Sequence, residues 1–318
     1  MTSYAIAESS TSTKADSYRQ SEQALWRHYG LEPTEHFVEI DAPPARLRVL
    51  ESGSGKPLLL VHGTVGPGGW ASLVRELPGR RCFVLDRPGW GLSSPVDYAR
   101  HEHKVVAGDI LAQTLDALGL GQVDVVGGSI GNVWALGLAA RHPARAGKVV
   151  LLGGSPLVPE TPVPGFIRML ASPLGVVMLR FANSPGRVES ILRHNGHGSS
   201  LDDGRIPPEF VDWRVAVGRD TASMRNERAM VQTLVRGGTF RPGLTFDDAE
   251  LAAIETPALY VFGDKDPIGS VDIWRRVAAV LPRGELRLMA GAGHMPWFDD
   301  APGIGAEIDR FLEQRPEG

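Results

Sequence analysis

The sequence has one cysteine, no long charge-free apolar run and no cluster of basic residues. The single cysteine, Cys82, excludes an internal disulfide and a cysteine-based zinc site. The most apolar stretch, residues 166–182, is interrupted by Arg168, Pro173 and Arg180, so we expect no membrane span. Because the first thirty residues lack a basic segment followed by an apolar one, we expect no signal peptide and a soluble, cytoplasmic protein.

The charge of the chain is close to balanced. There are 33 Lys and Arg residues against 37 Asp and Glu residues, which gives a formal net charge of −4. Without a basic patch, the chain has no electrostatic footprint for nucleic acid or for an anionic membrane surface. We therefore expect a small-molecule substrate and no nucleic-acid partner, while the sequence leaves the oligomeric state open.

Glycine and proline are plentiful, at 38 and 24 of 318 residues, which predicts many tight turns without reaching the level of disordered sequence. A chain of this length predicts one large domain, or a main domain with a smaller insertion. Two strands are predicted at 36–40 and 45–50, followed by apolar runs typical of strands covered on both faces. These runs are 57–61, 82–85, 123–126, 148–152 and 258–262, and a further strand is predicted at 285–289.

Helical patterns alternate with these runs, at 105–118, 132–141, 271–281 and 304–313. This alternation predicts the α/β class, with a mostly parallel central sheet and helices on both faces. Between residues 155 and 254 the alternation stops, and prolines and amphipathic segments predict a mostly helical insertion over one end of the sheet. The expected organisation is a tail and lead-in helix over 1–30, with residues 1–16 mobile, a core of 31–154 and 255–318, and an insertion over 155–254.

One motif in the chain is typical of a catalytic serine. The strand at 123–126 runs into Gly127-Gly128-Ser129-Ile130-Gly131 and then into a helical pattern. This Gly-x-Ser-x-Gly arrangement is typical of a nucleophile elbow, a sharp turn that lifts a serine hydroxyl above the sheet. The motif alone is weak because glycine is so common in this chain, so its surroundings must decide.

A serine hydroxyl becomes a nucleophile at neutral pH only with a base beside it, and the base needs an orienting carboxylate. His294 follows an apolar strand, in Gly293-His294-Met295, and Asp266 follows another, in 263–267. Functional groups of parallel sheets gather at the carboxyl ends of strands, where Ser129, His294 and Asp266 are all predicted to lie. Asp264, two residues before Asp266, is the alternative acid.

With these residues in hand, the chain resembles the α/β-hydrolase superfamily over about residues 30–315. The resemblance implies an α/β-hydrolase fold and a serine hydrolase with no cofactor, in which Ser129 is the nucleophile, His294 the general base and acid, and Asp266 the orienting acid. It favours Asp266 over Asp264 and makes residues 155–254 a helical cap. The motifs that carry it are His62-Gly63, the loop 86–93, the elbow at Ser129, 263–267 and Gly293-His294.

The resemblance also implies an oxyanion hole made of two backbone N–H groups. One is the N–H of Ile130, at a helix N-terminus whose dipole adds positive potential. The second is the N–H of Thr64, with Val65 as the alternative because the loop 62–70 is longer than the common one. The Gly66-Pro67-Gly68 sequence in this loop is similar to loops of relatives that hydrolyse carbon–carbon bonds.

Two histidine pairs have the spacing of metal ligands: His101 with His103, and His194 with His197. Neither pair has matching acidic residues nearby in the sequence, so we expect no metal site. His62 precedes the proposed oxyanion loop, and we expect it to organise that loop rather than act as a base.

The expected activity is hydrolysis of a small or medium, largely apolar carboxylic ester through an acyl-enzyme intermediate. The main alternative is a carbon–carbon bond hydrolase of meta-cleavage type, acting on a vinylogous diketone acid, with a cap cation for the substrate carboxylate at Arg168, Arg180 or Arg193. A lactonase, acyltransferase or perhydrolase would use the same triad. A non-catalytic ligand-binding protein is a further alternative, which the complete set of motifs disfavours.

Overall fold

The computed structural model describes residues 2–181 and 184–314. Residues 182, 183 and 315–318, which fall within the predicted insertion and core, lie outside the described residues. The first half of the chain contains α1 (Thr2–His28), β1 (Thr34–Asp41), β2 (Pro44–Gly53), β3 (Lys56–Val61), α2 (Ala71–Arg75), β4 (Arg80–Leu85), α3 (His103–Ala117), β5 (Val123–Gly128), α4 (Gly131–Arg141) and β6 (Ala146–Leu152).

The part between β6 and the next long strand is mostly helical. It contains α5 (Gly165–Ala171), α6 (Gly175–Phe181), α7 (Pro185–His194), α8 (Gly198–Asp202), α9 (Pro208–Asp220), α10 (Ser223–Leu234), β7 (Val235–Arg236), β8 (Thr239–Phe240) and α11 (Asp248–Ala252). The two short strands pair with each other in an antiparallel hairpin, which the sequence did not predict. The chain ends with β9 (Ala258–Gly263), α12 (Val271–Val280), β10 (Gly284–Met289), α13 (Pro296–Asp299) and α14 (Ala301–Glu313).

Among the described residues, eight strands form one sheet in the order β1-β2-β4-β3-β5-β6-β9-β10. Strand β2 is antiparallel to both of its neighbours, and the remaining pairs are parallel. This confirms the predicted α/β fold with a mostly parallel sheet. The chain passes from β3 outward to β4 and returns on the other side of β3 as β5, so the connection reverses direction beside β3.

The parallel strands end at nearly the same level. Val61, the last residue of β3, pairs with Leu85 of β4 and with Gly127 of β5. Further along the sheet, Leu152 pairs with Val261, and Met289 with Gly263. The loops that follow β3, β4, β5, β6, β9 and β10 therefore leave the sheet along one edge, where parallel α/β sheets place their sites.

Both faces of the sheet are buried, which explains the apolar runs without polar alternation. In β3, Leu59 and Val61 pack into the apolar core on one face, while Leu58 and Leu60 pack into the core on the other. Side chains alternate between the faces of a strand, so a strand covered on both sides needs apolar residues at every position. Cys82 of β4 is buried in the second of these cores, as its apolar neighbours predict.

The N-terminal prediction is partly wrong. Helix α1 begins at Thr2, whereas the sequence predicted a mobile tail over residues 1–16 and a helix only from Tyr18. Tyr18, Leu25 and Trp26 are buried and anchor the second half of the helix. A helix extends from an anchored turn at little cost per residue, so the Ser- and Thr-rich first half is helical without an apolar stripe of its own.

A membrane-crossing helix was not expected. Of the helices in the described residues, none combines the length and the apolar character that a bilayer crossing needs.

Candidate active site

Ser129 lies in the turn between β5 and α4, and its backbone is strained there. Its φ is 55°, and among the described residues it is the one non-glycine residue with a positive φ. A Cβ atom at Gly127 would lie 2.6 Å from Gly131 O, so strand and helix can approach this closely only without that side chain. The Gly-x-Ser-x-Gly motif thus forms a sharp strand-turn-helix that presents Ser129 at the carboxyl edge of the sheet.

The structure brings three predicted site residues together at this edge. Ser129 Oγ lies 3.1 Å from His294 Nε2, and His294 Nδ1 lies 2.9 Å from Asp266 Oδ2. All three residues are buried. Because an ionised carboxylate only accepts hydrogen bonds, the His294 proton belongs on Nδ1, which leaves Nε2 to accept from the Ser129 hydroxyl. The result is a continuous chain of hydrogen bonds of the kind that activates a serine.

Asp266, rather than Asp264, contacts the histidine. Asp266 Oδ2 also accepts from the Gly154 N–H at 2.6 Å, and its Oδ1 accepts from the Ile268 N–H at 2.8 Å. These backbone donors fix the plane of the carboxylate. Asp264 is exposed, and its Oδ1 accepts from the Gly291 N–H at 2.7 Å, the contact of a turn-stabilising residue.

Thr64 and Ile130 line one small cavity of about 40 Å³ together with Ser129. Within the described residues, neither the Thr64 N–H nor the Ile130 N–H has a hydrogen-bond acceptor. Ile130 caps α4 at its N-terminus, where the helix dipole adds positive potential. Val65, the alternative to Thr64, does not line this cavity, and its side chain packs toward Gly69. Two residues that line this cavity with Ser129 therefore have backbone N–H groups without an acceptor among the described residues.

A larger cavity of about 310 Å³ adjoins the small one, and Thr64, Phe166 and Glu227 line both. Its walls are mainly apolar side chains of the helices between β6 and β9. A cavity of this size and character suits a small or medium apolar molecule with a few polar groups. The apolar lining side chains include Met169, Leu170, Leu179, Phe210 and Met224.

Two arginines line this cavity, the exposed Arg187 and the half-buried Arg214, and neither was a candidate from the sequence. The Arg214 guanidinium donates to Thr64 O at 3.3 Å and lies 3.2 Å from Met224 Sδ and 5.6 Å from the centre of the Trp90 ring. Among the described residues Arg214 has no carboxylate partner within ion-pair distance. Burial lowers the pKa of Arg214 to about 10, which still leaves the side chain charged at neutral pH.

Of the cap arginines considered from the sequence, Arg168 and Arg193 do not line this cavity. Arg168 is exposed, and Arg193 forms a surface ion pair with Asp202 at 2.6 Å. The side chain of Arg180 lies outside the described residues. A sequence signal for Arg214 did exist, because it interrupts the apolar face of α9 one residue after the buried Trp213.

The loop after β4 links the core to the cap through buried charges. Glu227 of α10 accepts from Trp90 Nε1 at 2.6 Å and from Arg87 Nη2 at 3.2 Å. His62 donates from Nδ1 to Gly63 O at 2.6 Å and accepts at Nε2 from the Arg87 N–H at 3.1 Å. Burial, reinforced by the positive charge of Arg87, holds the pKa of His62 well below its usual value. His62 therefore stays neutral and organises the loop, as the sequence predicted.

One member of each histidine pair singled out in the sequence forms a hydrogen bond with another side chain. His103 Nε2 accepts from Trp134 Nε1 at 3.1 Å, and His197 Nδ1 lies 3.0 Å from Asp299 Oδ2. Across residues 2–181 and 184–314, no three His, Cys, Asp or Glu side chains come together as a set of metal ligands.

Comparison with known proteins identifies the family of this chain. A family model described as the α/β hydrolase fold matches residues 56–301. A 2-hydroxymuconate semialdehyde hydrolase from a Pseudomonas species is 38% identical over 285 residues, covering 87% of this chain and 93% of the relative. A 2-hydroxy-6-oxononadienedioate/2-hydroxy-6-oxononatrienedioate hydrolase from Burkholderia vietnamiensis is 27% identical over 292 residues, covering 88% of this chain and 96% of the relative.

A solved structure gives the same result for the fold. The naproxen esterase from Bacillus subtilis superposes with a TM-score of 0.74 at 18% identity, covering 95% of this chain and 98% of the esterase. Identity this low supports the fold and not the substrate. With the family model matching most of the chain, this protein belongs to the α/β-hydrolase fold family and is a hydrolase.

Proposed function

We propose that this chain is a serine hydrolase that cleaves a carbon–carbon bond in an apolar vinylogous diketone acid, the alternative that the sequence analysis placed behind an ester. The observation that carries this choice is Arg214, a half-buried guanidinium that has no ion-pair contact among the described residues and lines the apolar cavity next to the one that contains Ser129. Glu227, which lines the same cavity and pairs with Arg87, only partly offsets the effect of burial on Arg214. A half-buried cation with no carboxylate in ion-pair contact is costly, and a substrate carboxylate would neutralise it. The named substrates of two relatives, a muconate semialdehyde and a dienedioate, are acids of this class.

The proposed roles of the site residues follow from their contacts. Ser129 attacks the ketone carbon while His294 Nε2 takes its proton, and Asp266 holds His294 in the required tautomer and stabilises its cation. The N–H groups of Thr64 and Ile130 stabilise the negative oxygen of the tetrahedral intermediate. Water, activated by the same histidine, then releases the acid from the acyl-enzyme.

Carbon–carbon cleavage also needs a stable leaving group. The departing carbon takes the electron pair of the broken bond, and conjugation with the acid end of the molecule spreads that charge as an enolate. His294 gives the proton that it took from Ser129 to the departing carbon, which frees Nε2 to accept a proton from the attacking water. His294 then returns that second proton to Ser129 as the acid leaves, and the sum is the addition of one water molecule across the broken bond. In this proposal Arg214 binds the acid end, so it orients the chain and offsets the negative charge that develops toward it.

Ester hydrolysis is the second candidate, because the same serine, histidine and aspartate would perform it. It is supported by the mainly apolar walls of the 310 Å³ cavity, which would accept a neutral acyl group without help from Arg214. An ester brings its own leaving group and needs no cation in the cavity.

An assay with two substrates separates the candidates. The wild-type enzyme is given a ring-fission acid, made by extradiol cleavage of a catechol, and a p-nitrophenyl ester of similar size. The proposed function predicts that the acid is consumed faster than the ester. The loss of the dienolate absorbance of the acid measures its consumption. Hydrolysis of the ester with no consumption of the acid would overturn the carbon–carbon proposal in favour of the esterase.

The variant Arg214→Gln sharpens this assay. Loss of a charge-assisted hydrogen bond to the carboxylate should raise KM for the acid by about 10- to 100-fold, while ester hydrolysis changes little. Arg193→Gln, a cap arginine paired with Asp202 on the surface, is the matched control and should behave as the wild type. Equal losses on both substrates in Arg214→Gln would show that Arg214 supports the fold and does not bind the carboxylate.

A further inference from the structure

A second histidine–aspartate pair lies beside the loop that carries His294. His197, at the turn between α7 and α8, is fully buried, and its Nδ1 lies 3.0 Å from Oδ2 of Asp299 in α13. Ser200 of α8 donates its hydroxyl to the other carboxylate oxygen, and Arg205 donates to the backbone oxygen of Asp299 at 2.6 Å. The pair therefore joins the cap to the segment that directly follows His294.

Three successive backbone N–H groups of the His294 loop are held by this region. The Gly293 N–H donates to Asp299 Oδ2 at 2.7 Å, and the His294 N–H donates to Asn195 O at 2.9 Å. The Met295 N–H donates to His197 Nε2 at 3.1 Å. We call this set of three hydrogen bonds the clamp. Two of its acceptors, from Asn195 and His197, belong to the cap, and the third is the carboxylate that His197 contacts.

The hydrogen bonds fix the protonation of His197. A backbone N–H can only donate, so Nε2 of His197 must carry no proton, and the single ring proton lies on Nδ1 and points at Asp299. Burial acts to raise the pKa of Asp299, but its hydrogen bonds from His197, Ser200 and the Gly293 N–H outweigh burial and hold the pKa below its usual value. The clamp thus contains a histidine whose Nε2 accepts a hydrogen bond and an aspartate whose ionised form is favoured.

The two loops touch through glycines. Gly196 has a φ of 91°, and a Cβ atom there would lie 2.8 Å from the Cα of Gly293. A side chain at either position would push the cap segment away from the His294 loop. The close approach of the backbones is what allows hydrogen bonds between Asn195 or His197 and the loop.

From these contacts we infer that His197 and Asp299 are positioning residues. They hold the His294 loop so that Nε2 of His294 stays within hydrogen-bond distance of the Ser129 hydroxyl. The inference rests on the proposed function, because it assigns His294 the role of catalytic base. It adds that the cap segment 195–200 completes the active site. A displacement of a reacting group by about 1 Å can lower the rate by about 100-fold, so a loosened clamp should be visible in kcat.

The test compares His197→Ala, His197→Gln and His142→Ala. Alanine removes the acceptor for the Met295 N–H, whereas the glutamine side-chain oxygen can take the place of Nε2. His142 is the matched control, because it also contacts an aspartate, Asp109, at 2.8 Å, but at the surface and away from the site. For each protein kcat, KM, the thermal midpoint and the rate of Ser129 labelling by a fluorophosphonate are measured at a temperature where it is folded.

The clamp predicts a loss of about 10- to 100-fold in kcat for His197→Ala, with KM within about twofold and a parallel slowing of labelling. His197→Gln should recover most of that loss, and His142→Ala should match the wild type. Labelling does not depend on the substrate, so it reports the serine and histidine directly.

Two outcomes would overturn the inference. In the first, His197→Ala has a lower thermal midpoint but wild-type kcat and labelling, which would make the pair purely structural. In the second, a folded His197→Gln loses kcat and labelling by the 10- to 100-fold that the clamp predicts for His197→Ala, which would exclude the hydrogen bond to Met295 as the cause. This outcome needs only the glutamine variant, so it still decides if the alanine variant fails to fold. A wild-type protein that resists labelling and hydrolyses neither substrate would instead overturn the proposed function itself.

Discussion

His294 and His197 both contact an aspartate through Nδ1, at 2.9 Å and 3.0 Å, but their Nε2 atoms meet different partners. Nε2 of His294 faces the Ser129 hydroxyl, which lines a cavity. Nε2 of His197 faces the N–H of Met295, the residue that follows His294. The first pair ends on a group that can give up a proton, and the second ends on a backbone amide that cannot.

This difference shows that a histidine–aspartate pair does not by itself indicate a catalytic base. In both pairs the aspartate fixes the tautomer of the ring and aims Nε2. The atom that Nε2 meets, and the presence of a cavity for the reacting molecule, then decide what the pair does. In the proposed function one pair takes a proton from Ser129, and in the further inference the other pair holds the first in place.

The comparison predicts its largest effect at Ser129. Ser129→Ala removes the group that distinguishes the environment of His294 from that of His197, and hydrolysis should fall by about 10⁵-fold or more. The turn itself should persist, because alanine keeps the Cβ atom and the backbone contacts. Initial rates on the ring-fission acid and on the ester measure this loss, with circular dichroism as the check on folding. Substantial turnover by the variant would refute the assignment of the nucleophile.

Matched substitutions in the two aspartates should have unequal effects. Asp266→Asn gives His294 the wrong tautomer and removes the charge that stabilises its cation, so kcat should fall by about 10⁴-fold. Asp299→Asn leaves the Gly293 N–H an acceptor and only loosens the clamp, so kcat should fall by about tenfold. Steady-state kinetics of both variants test this order. Losses of the same size would mean that the two pairs do not differ in role as described.

The smallest expected effect is on the pH dependence of stability, and it concerns another buried histidine, His103. This residue has no aspartate partner among the described residues. Its Nε2 accepts from Trp134, and within the described residues its Nδ1 has no hydrogen-bond partner. Burial, with a further contribution from the charge of Arg87, lowers the pKa of His103 to about 3. The folded protein thus keeps His103 neutral at a pH where the unfolded chain, with a pKa near about 6.5, is protonated.

Unfolding therefore takes up one proton at His103 between about pH 3 and pH 6.5, and this contribution to stability is lost as the pH falls. His103→Gln retains an acceptor for Trp134 but cannot titrate. Below pH 6, the free energy of unfolding of the wild type should fall more steeply with decreasing pH than that of His103→Gln. The difference in slope should be about 1.4 kcal/mol per pH unit. Denaturant unfolding of both proteins at pH 4, 5 and 6 measures the slopes, with surface His142→Gln as the control. Identical slopes in wild type and His103→Gln would contradict the argument.

Local patterns in the sequence predicted much of the fold and the centre of the site. The apolar runs and the glycines around Ser129 act over a few residues, and parallel strands end at a common edge. Those two facts were enough to predict that Ser129, His294 and Asp266 lie close together, as they do in the structure. The choice of Asp266 over Asp264 came from the family resemblance, and it agrees with the observed contact.

Features that depend on contacts between distant segments were not predicted. His197 and Asp299 are 102 positions apart, and nothing in either local sequence indicates that they meet. Arg214 occupies an apolar helix face that becomes a cavity wall only when the cap covers the sheet edge. The N-terminal half of α1 lacks an apolar stripe, and the β7–β8 hairpin is too short to produce a strand pattern.

The most direct test of the central claim is peptide mapping by mass spectrometry after treatment of the wild-type protein with a fluorophosphonate. An activated serine reacts covalently with this probe, whereas an ordinary buried hydroxyl does not. The account predicts one adduct, located on Ser129, that appears at the rate at which hydrolysis is lost. An active protein with an unmodified Ser129, or with the adduct at another residue, would contradict it.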